Sequence, residues 1–145
     1  SLSRTGTLER VRKQIKEMGI ENTTAQAQDK GITISLENIQ FEAESAFLTE
    51  AELRKLRKIA EILKDFPDND LLISGHTALA GTASGRQKLS EQRASAVADY
   101  LAELGVKRHE QLFTKGFGAQ VPIAPNTTEA GKARNRRVEI TILDK

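Results

Sequence analysis

His76 follows Gly75 directly and lies close in sequence to Ser74, Thr77, Ser84, Arg86, Ser90 and Arg93, so the stretch 73–101 holds most of the side chains able to do chemistry. An imidazole beside serine hydroxyls could act as a general base, but the Gly-x-Ser-x-Gly turn that exposes a nucleophile is absent. A histidine that packs or hydrogen-bonds within the loop is the simpler role. Gly75, Gly81 and Gly85 let the chain bend back on itself while Thr77, Ser84, Arg86 and Arg93 offer polar atoms to a ligand. Their spacing fits neither the dinucleotide fingerprint nor the P-loop, whose lysine directly follows a glycine.

Two roles are open to Arg93. A guanidinium on the flank of a helix can grip a carboxylate with two parallel hydrogen bonds, or it can pair internally with Glu42, Glu44 or Asp70. The run Lys132-Ala133-Arg134-Asn135-Arg136-Arg137 reads as a solvated basic edge before a strand. Net charge is only +2 and aromatic content 4%, so nucleic acid is not an expected partner. With two histidines and no cysteine, thiol chemistry is excluded and no metal site is expected.

The elements that must position these residues follow from periodicity. Leu8, Val11, Ile15 and Met18 form one stripe of an amphipathic helix, and residues 21–31 carry no period and read as a linker. Ile32, Ile34 and Leu36 alternate with Thr33, Ser35 and Glu37 as a half-buried strand. Thr49 and Glu52 are spaced as a capping box, ahead of a helix whose stripe is Leu53, Leu56, Ile59, Ala60 and Leu63. A strand over 71–73 leads through the glycine loop to the helix of Leu89, Ala94, Val97, Leu101 and Leu104. Further strands are expected at 112–115 and 138–143, separated by an excursion over 121–137 with room for one helical turn. The alternation predicts one domain, an α/β two-layer sandwich (α+β) with helices on one face of a mixed four-stranded sheet. No apolar run is long enough to cross a bilayer. The sequence opens on Ser1 without a targeting segment, as a mature form or an excised domain would.

Several ordered motifs resemble one family. They are Phe41-Glu42-Ala43-Glu44-Ser45-Ala46, Ile73-Ser74-Gly75-His76-Thr77, Gly81, Leu89-Ser90, Arg93-Ala94, Val97, Tyr100-Leu101, Gly105-Val106, Gly116-Phe117-Gly118, Pro122, Asn126-Thr127 and Asn135-Arg136-Arg137-Val138-Glu139-Ile140. Over about residues 32–143 they resemble the OmpA-like domain, which places residues 1–31, helix and linker, outside a domain at 32–145. The resemblance implies a β-α-β-α-β fold with a further strand, no cofactor and no catalysis. It also implies residence in the periplasm or cell envelope, with outer-membrane association through a region outside this sequence. Its implied partner is peptidoglycan, bound non-covalently where an aspartate and an arginine clasp the zwitterionic end of diaminopimelate.

Carried over by position, the family's arginine is Arg93, its threonine Thr77 and the arginine of its closing motif Arg136. The aspartate falls on Ala78, the loop asparagine on Arg86, and the Asn or Asp after the first strand on Glu44. A methyl at Ala78 neither accepts a hydrogen bond nor offsets an ammonium, and Arg86 adds positive charge. Losing one partner of such a charge pair costs about 2–5 kcal/mol, about 30- to 3,000-fold in affinity. The expectation is therefore a structural or interaction module in which wall binding is weakened or lost. The alternative is a wall-binding module whose altered pocket uses Glu44, Arg86 and Arg93.

Overall fold

The computed structural model describes residues 4–42 and 45–145. Helix α1 (Arg4–Glu17) precedes strands β1 (Thr23–Gln28) and β2 (Gly31–Glu37), helix α2 (Glu50–Leu63), strand β3 (Leu71–His76) and helix α3 (Ala83–Glu103). A 3-10 turn (His109–Gln111), β4 (Leu112–Gly116), α4 (Glu129–Asn135) and β5 (Arg137–Leu143) complete the chain. The strands form one mixed sheet in the order β1-β2-β5-β3-β4, parallel only between β3 and β4. Helices α1, α2 and α3 share one core with Ile34, Leu36, Ile73, Val138, Ile140 and Ile142 of the sheet. Strand alternation sends Leu72, Ser74, His76, Glu139 and Thr141 to the opposite face.

The two-layer architecture agrees with the sequence reading, but the sheet has five strands rather than four. The additional strand is β1, within the segment read as a linker, and it pairs antiparallel with β2 from Gly31 to Leu36. Its sequence, TTAQAQ, alternates without large apolar residues, and only Ala25 of the six is buried. A sheet-edge strand with one small buried side chain carries almost no hydrophobic period. From residues 4–31, Val11, Ile15, Ile20 and Ala25 pack into the common core.

Two other local expectations are corrected. Thr49 occupies the N-cap of α2, but its side chain makes no cap hydrogen bond. Glu52 is buried and pairs with Lys55 at 3.1 Å instead of reaching back to the cap. Helix α3 begins at Ala83, where Thr82 caps it by accepting a hydrogen bond from Gly85 N at 3.0 Å. Gly85 is thus helical, and the loop after β3 is shorter than its glycines imply.

Close approach of α3 to the sheet fixes that loop. A Cβ on Gly75 would lie 2.0 Å from Ser90 O, and one on Gly116 would lie 2.5 Å from Ser90 Oγ. Only glycine at both positions lets the helix sit directly on β3 and β4.

Candidate functional site

Ser90, fully buried in α3, accepts a hydrogen bond from Gly118 N at 2.9 Å, and Gln87 Nε2 donates to Gly116 O at 2.7 Å. Thr77 N donates to Gly118 O at 2.8 Å. The end of β3, the end of β4 and the first turns of α3 are thereby tied together, and Thr77 and Ala78 emerge beside the start of α3. On the other side Asn135, fully buried, accepts from Ile123 N and Ala124 N at 2.8 and 3.0 Å. It also donates to Ala124 O and to Asn126 Oδ1, both at 2.8 Å. Asn126 in turn accepts from Leu79 N at 3.4 Å, linking the loop after β3 to the segment leading into β5.

Between these tethered segments lies a cavity of about 300 Å³ whose wall includes Thr77, Ala78, Arg86, Arg93 and Arg136, with Ala80, Gly81 and Leu89. Five of the six positions singled out in the sequence share this wall, although they are spread along the chain from Thr77 to Arg136. Glu44 lies outside the described residues. No aspartate or glutamate lines the cavity among the described residues.

The three guanidiniums differ. Arg86 donates from Nη1 to Gly81 O at 2.7 Å and Ala80 O at 3.3 Å, so it braces the rim of the loop. Arg93 is half-buried, donates from Nε to Ser45 O at 3.1 Å and lies 4.4 Å above the centre of the Phe41 ring. Among the described residues it forms no ion pair, so neither Glu42 nor Asp70 serves as its partner. Burial, and then the positive charge of Arg136, push its pKa below the usual arginine value. Arg136, at the end of α4, makes no side-chain hydrogen bond or ion pair among the described residues. Thr77 Oγ1 is buried with no hydrogen-bond partner.

His76 points to the other face of the sheet. Its ring stacks on Phe117 at 5.1 Å, and Nε2 stands 3.7 Å from Glu139 Oε1. Burial, and then the charge of Arg137, lower its pKa from 6.5 to about 3. Neither ring nitrogen is hydrogen-bonded, so no Ser-His pair exists here and the general-base role has no geometry behind it. The basic run is a solvated edge only in part, at Lys132 and the exposed Arg134. Lys132 pairs with Glu129 at 3.4 Å, Arg134 with Glu37 at 3.0 Å, and Arg137 is buried against Glu139 at 2.8 Å. The positioning roles of Ser90, Gln87, Asn126 and Asn135 were not read from the sequence. Ser90, Asn126 and Asn135 stand in its motifs, but which backbone groups they satisfy depends on the fold.

A family model described as the OmpA family matches residues 40–136. The chain belongs to the OmpA family. Among OmpA-family relatives, the protein named "Probable lipoprotein YiaD" of Escherichia coli K12 is 40% identical over 105 residues, covering 72% of this chain and 48% of that protein. The peptidoglycan-binding protein ArfA of Mycobacterium tuberculosis is 41% identical over 104 residues, covering 72% of this chain and 32% of its own length. The chain thus spans less than half the length of these curated relatives. Among solved structures, an outer membrane protein of Borrelia burgdorferi B31 superimposes with a TM-score of 0.70 at 38% identity, over 84% of this chain and 97% of that one.

Proposed function

We propose that this OmpA-family domain is a non-catalytic module of the cell envelope whose cavity beside β3 and α3 faces the peptide stem of peptidoglycan, and that its hold on diaminopimelate-type wall is weak. The family supports the class of partner, and one of the relatives is itself named a peptidoglycan-binding protein. The observation that carries the reading is the cavity wall, which keeps Thr77, Arg93 and Arg136 together with the methyl of Ala78, the position onto which the sequence resemblance carries the family's aspartate.

A zwitterion needs both halves of its clasp. The guanidiniums of Arg93 and Arg136 suit the carboxylate, but no lining carboxylate among the described residues meets the ammonium, and each added cation disfavours its entry. Weak wall binding leaves the scaffold free to serve as a structural or protein-interaction unit in the periplasm. Co-sedimentation with purified diaminopimelate-type sacculi tests this: the native chain should remain largely in the supernatant, and Ala78→Asp should move into the pellet. Strong pelleting of the native chain would reject the proposal.

A second reading is favoured by the same wall. Arg86, Arg93 and Arg136 share one cavity with an unpartnered hydroxyl, which is a construction suited to a ligand of different charge rather than a collapsed site.

A further inference from the structure

The cavity has a chemical preference of its own, and stating it deepens the wall-binding reading, on which it rests. Among the described residues, Arg93 spends Nε on Ser45 O and leaves Nη1 and Nη2 uncommitted, and Arg136 spends no side-chain donor. Both line the same wall, and among the described residues no acid stands between them. Two like charges so placed stabilise an anion that meets both and repel any cation. Thr77, 8% exposed, stands on the same wall, with its hydroxyl buried behind the surface and unpartnered. The first turn of the 21-residue helix α3 contributes Gly85 and Arg86 to the wall, and the positive end of its dipole acts in the same sense. The remaining surface is methyl-rich, from Ala78, Ala80 and Leu89. A volume of about 300 Å³ is at the small end for ligand sites, enough for a terminal residue or two.

We propose that this cavity takes a peptide carboxyl terminus: a free α-carboxylate on a residue with a small apolar side chain and no ammonium nearby. The carboxylate lies between Arg93 and Arg136, while the small side chain meets Ala78 and Leu89. Ala78 is then the residue that sets specificity. It removes the group that would hold an ammonium and supplies apolar contact in its place.

Isothermal titration of the 145-residue chain tests this with four probes: N-acetyl-D-alanyl-D-alanine, its C-terminal amide, meso-diaminopimelate and inorganic phosphate. The free acid should bind at least tenfold more tightly than the amide and than diaminopimelate, and phosphate should not displace it at equal concentration. Arg136→Ala and the milder Arg93→Lys, each checked for a native circular dichroism spectrum, should each weaken the acid at least tenfold. Ala78→Asp should reverse the order of acid and diaminopimelate. Equal affinity for acid and amide, or equal displacement by phosphate, overturns the proposal. The two readings fail separately. If Ala78→Asp gains diaminopimelate while the native chain ignores the acid, the carboxylate inference falls and the wall reading stands. If the native chain selects the acid while Ala78→Asp gains neither diaminopimelate nor sacculi, the wall reading falls.

Discussion

Arg136 and Arg137 are adjacent in the chain and opposite in use. Arg137, 1% exposed, donates to Glu139 Oε2 at 2.8 Å, Val121 O at 2.9 Å and Asn135 O at 3.4 Å. Arg136, one step earlier at the end of α4, faces the cavity with no described partner. A buried cation is tolerable only when its donors are met, so Arg137 is part of the fold. An arginine held at a cavity wall with its donors unspent contributes little to folding and is available to a ligand.

The largest effect should come from breaking the satisfied member. Arg137→Met strands the half-buried Glu139 carboxylate and should lower unfolding free energy by about 3–5 kcal/mol in urea titrations. Arg136→Met should stay within about 0.5 kcal/mol of the native chain, since it removes a charge that repels Arg93. Comparable losses in the two variants would erase the distinction. Gly75→Ala comes next. Its Cβ would meet Ser90 O at 2.0 Å, so α3 must shift, costing about 1–3 kcal/mol and displacing Arg93 from Arg136.

A smaller effect concerns pH on the Arg137 side. His76 is held neutral in the fold, with a pKa near 3 against 6.5 when unfolded, so the unfolded chain takes up the extra proton below pH 6.5. Stability from this group is full above pH 6.5 and is lost as pH falls from there toward 3. Between pH 7 and pH 5 the native chain should lose up to about 2 kcal/mol that His76→Gln does not lose. Parallel pH profiles for the two would contradict it.

How far the sequence foretells these regions also differs. The helix stripes and the strands around Ile34, Ile73 and Ile140 are legible because each buries large side chains at a regular period. Strand β1 is not, since it buries one alanine and takes its place by backbone pairing with β2. At the cavity, Thr77, Ala78, Arg86, Arg93 and Arg136 are legible by position in the family's motifs and meet on one wall. Which of two neighbouring arginines is structural is not legible, because it depends on the carbonyl of Val121, brought near only by the fold, and on Arg137 being the one buried beside Glu139. Glu52 shows the same limit: its spacing from Thr49 is right for a cap, but burial directs it to Lys55.

On the proposed function, the lack of an acid at position 78 weakens the clasp on a zwitterion. Dissociation constants of the native chain and Ala78→Asp for one soluble diaminopimelate-containing stem peptide test it most directly. Restoring the carboxylate should tighten binding by about 30-fold or more, the lower bound for one partner of such a charge pair. Equal affinity in the two proteins, with the native chain already binding tightly, would contradict it.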